Sequence, residues 1–266
     1  MQAGQGGSEM PKRGLVTLIR DLKLRRGRER RRLALAEGVR LLEEALATDL
    51  PIQGVAWSPT LEATPRGRAL KARLETLATL CEAISDRDLE ELADTEHPQG
   101  VLAVIEPRRW SLEDIRPDAT SVILVLDAVQ DPGNVGTMAR TAHGLGASAL
   151  VALKGTAELA NPKVLRGSMG ALFRLPSVEC DDTALLRWKA EHRLPLWAAD
   201  AAGVPITERP LSRPLALIVG NEGAGIRPSL LGAAAGRVAV PLRPGAESLN
   251  VAIAAGILLY EVLHGR

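Results

Sequence analysis

Three stretches of the chain carry residue types that can do chemistry, and each follows a short apolar run. The first, "LDAVQDPGNVGTMAR", places Asn134 where a helix should begin and Arg140 six residues later. At ~100° per residue that is about 240° of turn, so the two side chains do not stack on one helix face. The second, "LIVGNEGAGI", sets Gly220, Gly223 and Gly225 around Asn221 and Glu222. Glycines there permit positive φ and let a ligand come close to the backbone. The third ends in "AESLN", with Ser248 and Asn250 standing before "VAIAAGILLY", a run whose one polar side chain is that of Tyr260.

Amides, a hydroxyl, a carboxylate and a guanidinium are groups that orient a polar ligand, and the guanidinium also binds phosphate or steadies developing negative charge. His143 is the one histidine near these loops, and they hold no paired carboxylates. The glycine spacing matches neither the Rossmann fingerprint nor the P-loop. Taken singly, each loop also has a structural reading: Asn134, Ser248 and Asn250 as helix caps, Arg140 as a surface charge, and the glycines as a tight turn.

The elements that must position these loops are legible from the apolar pattern. Short, nearly continuous apolar runs recur at 122–129, 149–153, 194–199, 215–219 and 237–242. Such runs without alternation predict strands buried on both faces, as in a parallel sheet covered by helices. In that arrangement the three loops gather at the carboxyl ends of the strands, where open α/β folds bind ligands. Upstream, Leu33, Leu35, Val39, Leu41, Leu42 and Leu46 lie at roughly helical spacing. A strand "IQGVAWS" follows, then a charged helix over 66–80, a helix capped by Ser85, and a strand "GVLAVIE". Pro107 and Pro117 bracket a charged linker. The predicted organisation is a flexible start (1–10), an α/β domain (11–106), a linker (107–118) and a second α/β domain (119–266).

Aromatics make up 2% of the 266 residues, so base-stacking platforms are scarce. Trp57 and Trp110 are candidates for stacking on an unpaired base, with core packing as the alternative. From Lys12 to Arg40 there are eleven Lys or Arg against three acids. That excess suggests a polyanion footprint, with Arg25, Arg26, Arg30 and Arg31 as contacts, or else a solvated helix face. Cys81 and Cys180 have no paired spacing, which argues against a disulfide framework or a zinc site. Residues 1–10 lack the apolar stretch of a signal peptide, and the chain reads as soluble and cytoplasmic.

In order and spacing, "DPGNVGTMAR", "IVGNEGAGI" and "VPLRPGAESLNVAIAAGI", with "NPKVLRGSMGALFRLP" between the first two, resemble the SpoU (TrmH-like) branch of the SPOUT RNA methyltransferases. The resemblance covers 121–264, and residues 30–105 are similar to that family's ribosomal-protein-like substrate-binding domain. It implies a C-terminal α/β trefoil-knot domain behind a smaller N-terminal α/β domain, working as a homodimer without a metal. It also implies methyl transfer from S-adenosylmethionine to a ribose 2′-hydroxyl of structured RNA, with large-subunit ribosomal RNA preferred to transfer RNA.

Carried over by position, Gly220, Val240 and Leu249 hold the cofactor through backbone groups, and Val219 and Ile226 line the adenine pocket. Asn134, Arg140, Glu222, Ser248 and Asn250 match the polar catalytic set. Arg166 and Ser168 are separate candidates for phosphate contacts, with a plain helix surface as the alternative. An idle RNA-binding assembly factor of the same fold and a nucleotide-binding metabolic enzyme are the rival readings. The intact polar set disfavours the first rival and the basic segment the second.

Overall fold

The computed structural model describes residues 12–77, 79–243, 245 and 248–265. The expected flexible start lies outside them. The chain divides into two compact units, Met1–Pro107 and Arg108–Arg266.

The first unit opens with α1 (Lys12–Lys23) and α2 (Arg25–Arg31), then β1 (Ala34–Glu37), α3 (Val39–Ala47) and β2 (Ile52–Trp57). It continues with α4 (Pro65–Glu75), β3 (Leu80–Ala83), α5 (Asp86–Leu92) and β4 (Val101–Ile105). The sheet runs β1-β4-β2-β3, antiparallel except for the β2–β3 pair. Leu15, Leu18, Ile19 and Leu22 recur at helical spacing on α1 and pack against Leu35, Ala56, Leu89, Leu92, Leu102 and Val104.

Two expectations change here. Residues 34–37 do not join the helix that follows; all four are buried in a strand beside β4, and Gly38 at φ +96° turns the chain into α3. The helix expected to run to residue 80 ends at Glu75, and Leu80–Ala83 form the edge strand β3.

The second unit contains β5 (Val122–Leu126), α6 (Pro132–Leu145), β6 (Ala149–Leu153), α7 (Pro162–Ser168), β7 (Ser177–Cys180) and α8 (Asp182–Glu191). After these come β8 (Leu196–Pro205), β9 (Leu215–Val219), α9 (Pro228–Gly232), β10 (Gly236–Ala239) and α10 (Val251–His264). Its six-stranded sheet has the order β10-β8-β9-β5-β6-β7, with every pair parallel. Every residue of β5, β6 and β9 is buried, as expected for strands covered on both faces. The expected linker is in part core: Leu112 and Ile115 pack into this unit's apolar cluster, so the division falls directly after Pro107.

Two features position the site. The neighbouring strands β5 and β9 send their connections to opposite sides, β5 through α6 to β6 and β9 through α9 to β10, which opens a crevice at their carboxyl ends. The chain then returns from the edge strand β10, across β8 and β9, so that α10 packs on α6. Among the described residues, no helix is long and apolar enough to cross a membrane.

Candidate active site

Asp131, rather than Asn134, caps α6: its Oδ1 accepts the Asn134 backbone N–H at 2.7 Å. Asn134 thus sits in the first turn with its side-chain amide free to act elsewhere. That amide joins all three loops. Its Nδ2 donates to Glu222 Oε1 at 2.8 Å, and its Oδ1 accepts from Asn250 Nδ2 at 3.0 Å. Asn250 in turn caps α10, its Oδ1 accepting the N–H groups of Ala252 (2.9 Å) and Ile253 (3.3 Å).

A carboxylate only accepts, so the Asn134 NH₂ must face Glu222. Its oxygen must then face Asn250, and the Asn250 oxygen is left for the helix N-terminus. Each amide therefore has one workable orientation, and the chain of bonds is polarised from α10 through α6 to the carboxylate.

The glycine-rich loop after β9 is built from its own backbone. Asn221 and Gly225 exchange N–H···O bonds of 3.1 and 2.9 Å, and Asn221 Oδ1 accepts the N–H groups of Gly223 and Ala224, each at 2.9 Å. Gly225 sits at φ +68°. A Cβ on Gly220 would lie 2.3 Å from the backbone carbon of Gly225, so that position admits no side chain. Asn221 Nδ2 also donates to the carbonyl of Ala128 at 3.0 Å. Ala128 stands at φ +56°, a left-handed conformation that costs a non-glycine residue roughly 1 kcal/mol.

Beneath these loops Asp127, fully buried at the end of β5, accepts the Arg227 backbone N–H at 2.8 Å and its Nε at 2.6 Å. The guanidinium also reaches Asp182 at 2.8 Å. Asp127 and Arg227 escaped the sequence reading, and Asn221 was noted there without a role. The available signal was the acid at the end of the run "VILVLD" and the asparagine opening the glycine loop.

The remaining expected residues divide as follows. Arg140 is exposed on α6 and makes no hydrogen bond or ion pair among the described residues; Ser248 is likewise exposed and unengaged. Gly220, Val240 and Leu249 lie outside the strands, with no backbone hydrogen bond among the described residues. Val219 is buried at the end of β9, whereas Ile226 packs within the core cluster.

Ser168 is not a phosphate contact here: it is fully buried and donates to the Leu165 carbonyl at 2.7 Å. Its neighbourhood is a helix crossing in which a Cβ on Gly136 of α6 would meet the Val164 oxygen at 2.7 Å and Gly167 Cα at 2.9 Å. Arg166, on the same helix, is half-buried. Gly256 of α10 packs towards Thr141 of α6, where an added Cβ would lie 3.4 Å from Thr141 Cγ2.

On α2, Arg26 is exposed, but Arg30 and Arg31 bind Asp21 and Arg25 binds Glu29. Arg28 is buried and its Nη1 donates to the Leu22 and Lys23 carbonyls, closing the end of α1. Several of these basic side chains are therefore engaged by neighbours within the same unit. Among the described residues, no three His, Cys, Asp or Glu side chains cluster as a metal site.

Set against known proteins, residues 121–260 match the model of the SpoU rRNA Methylase family, and residues 15–103 match the MRM3-like substrate binding domain. The chain belongs to the SpoU rRNA methylase family. It is 38% identical over 229 residues to the 23S rRNA (guanosine(2553)-2'-O)-methyltransferase RlmP of Bacillus subtilis, covering 86% of this chain and 87% of that protein. It is 30% identical to the 23S rRNA (uridine(2479)-2'-O)-methyltransferase of Streptomyces viridochromogenes over 87% of this chain and 83% of that one. The crystal structure of the SpoU methyltransferase AviRb from Streptomyces viridochromogenes, in complex with AdoMet, superposes with a TM-score of 0.84 at 29% identity, over 94% of this chain and 97% of that one. The loops joined by Asn134 are thus the motif loops of a SpoU methylase.

Proposed function

We propose that this chain transfers a methyl group from S-adenosylmethionine to a ribose 2′-hydroxyl of large-subunit ribosomal RNA. The observation that carries the reading is the Asn250–Asn134–Glu222 network, which fastens the three SpoU loops together at the crevice between β5 and β9. The relatives named as 23S rRNA 2'-O-methyltransferases support the choice of ribosomal RNA. The return of the chain from β10 to α10 is the path a trefoil knot requires, and it supports that expectation for the fold.

The residues fit a bent nucleoside ligand. Gly220, Val240 and Leu249 offer backbone N–H and C=O groups that no backbone partner in the described chain uses, and Val219 supplies an apolar wall beside them. S-adenosylmethionine, when bound, supplies a methyl group already activated for in-line displacement. What is left to the protein is alignment and the hydroxyl proton. With the methyl group so supplied, the hydroxyl proton would pass to water or to the neighbouring phosphate.

Arg140, exposed and unengaged, is suited to bind that phosphate and steady the developing alkoxide. A guanidinium is a delocalised cation that donates hydrogen bonds and has no lone pair to accept a proton, so proton abstraction is not its task. Ser248 orients the ribose, and Asn134, Glu222 and Asn250 fix the loops that present the reactants.

We further propose that the chain works as a homodimer. Ile253, Ile257 and Tyr260 repeat along one face of α10 with exposures of 54%, 37% and 54%, and the exposed Leu249 extends the stripe. Apolar area of this kind on a helix at the site calls for a covering surface. Sedimentation should give twice the chain mass, and Ile253→Glu should halve it.

Calorimetry with S-adenosylmethionine, followed by mapping of methylated riboses in ribosomal RNA from a strain lacking the gene, tests the main reading. One missing methyl restored by the purified chain supports it. Unchanged methylation together with no heat of binding refutes it.

A further inference from the structure

The first unit holds a cavity of about 910 Å³ lined by Arg20, Trp57, Glu82, Ile84, Ser85 and Asp88, among others. We propose that it is a subsite for an unpaired guanine of the RNA substrate, which binds there while the second unit acts on a ribose; the proposal rests on the reading above that the substrate is RNA. Three side chains carry it.

Glu82, on the edge strand β3, has one carboxylate oxygen, Oε2, buried from solvent without a hydrogen-bond partner among the described residues. An acceptor left in that state costs free energy that a donor would recover when the carboxylate turns towards the cavity it lines. Arg20 is exposed at the rim, with no ion pair among the described residues, although Asp21 beside it holds both Arg30 and Arg31. Trp57 is half-buried on β2 and supplies an apolar wall. Lys71 lies 4.2 Å from the Trp57 ring centroid and is itself held by Glu62 and Glu75, which fixes the indole.

The other acid in the lining, Asp88, has one oxygen engaged: its Oδ2 accepts from Ser85 Oγ at 2.7 Å. The lining thus brings together the Glu82 carboxylate with its buried, unused acceptor, the Arg20 guanidinium and an aromatic wall. A carboxylate only accepts, so it selects a base by its donors. Guanine alone among the four bases sets two donors side by side, N1–H and the 2-amino group, matching the two carboxylate oxygens. Adenine and cytosine present one amino group and uracil a single ring N–H. Arg20 then meets the adjacent phosphate.

The test uses the full chain without S-adenosylmethionine and fluorescein-labelled single-stranded heptanucleotides with one variable central base. Anisotropy titrations should place guanine tightest, 7-deazaguanine equal to it, and inosine, which lacks the 2-amino group, at least about tenfold weaker. Glu82→Gln should erase the guanine–inosine difference, whereas Asn134→Ala should leave it intact. Arg20→Ala should weaken all probes and lower the salt slope by about one.

Equal binding of guanine and inosine by the unaltered chain overturns the proposal, and this arm does not depend on any variant folding. Discrimination that survives Glu82→Gln in a chain of unchanged circular dichroism also overturns it. Failure to bind S-adenosylmethionine in the separate calorimetric experiment would strike the catalytic reading and leave this one standing.

Discussion

Asn250 and Asn134, 116 residues apart in the chain, are joined by a single hydrogen bond of 3.0 Å to the Asn134 Oδ1, and the Nδ2 of the same Asn134 amide donates to Glu222. One side chain therefore couples the first turn of α6, the glycine loop after β9 and the cap of α10.

Replacing Asn134 should accordingly damage activity more than stability. Asn134→Ala leaves Glu222 and Asn250 exposed enough to be solvated, so the expected cost is about 1 kcal/mol in unfolding free energy. Methyl transfer should fall by about a hundredfold because the loops lose their common register. Asn134→Asp should do worse, since it sets a carboxylate against Glu222. Parallel denaturant titrations and initial rates check both outcomes.

Gly220 answers to sterics rather than hydrogen bonding. A Cβ there would lie within 2.5 Å of the Gly225 and Ile226 backbone, which no rotamer change relieves. Gly220→Ala should destabilise the second unit by about 2 kcal/mol and weaken binding of S-adenosylmethionine together with it. Gly223→Ala, where the nearest contact is 3.6 Å to the Asn221 side chain, should be tolerated and serves as the control.

Asp127 is a buried acid whose partner Arg227 remains about a third exposed. Asp127→Asn keeps the shape but removes the charge facing the guanidinium. The expected loss is about 2 kcal/mol, below the range for a wholly buried pair because water and Asp182 still serve Arg227. Thermal unfolding of the variant checks the figure, and an unchanged melting temperature would remove Asp127 from the account.

Stability should also depend on acid. Hydrogen bonds to Asp118, first from the Thr120 hydroxyl and then from the Thr120 N–H, hold its carboxyl below the usual value of 3.8; the Ser111 N–H does the same for Asp114. Depressed folded values mean that the unfolded chain takes up protons first. Their stabilisation is therefore complete above about pH 4 and fades as pH falls through the folded values. A melting-temperature profile from pH 6 to pH 2 should decline below pH 4, and Asp118→Asn should flatten that decline.

The sheet of the second unit was legible because β5, β6 and β9 are uninterrupted apolar runs, and burial on both faces leaves that pattern little alternative. The loops were legible because glycines and polar residues follow those runs directly. The four-residue strands 34–37 and 80–83 were not. Each is shorter than the helix beside it, and its pairing with a strand distant in sequence overrides local spacing. The roles of Ser168 and Arg28 were equally hidden. Both are polar residues in a helical, basic context, and only the packing shows that one bonds to the turn above it while the other closes a helix end. The bond between Asn134 and Asn250 depends on the chain crossing back over its own sheet, which no local pattern encodes.

The central claim is best tested by following the label from S-adenosyl[methyl-³H]methionine into ribosomal RNA and digesting the product with alkali, which cannot cleave beside a 2′-O-methyl ribose. The account predicts label in alkali-resistant dinucleotides, falling by about a hundredfold or more with Arg140→Ala while that variant unfolds as the unaltered chain does. Label in mononucleotides, or undiminished transfer by Arg140→Ala, would contradict it.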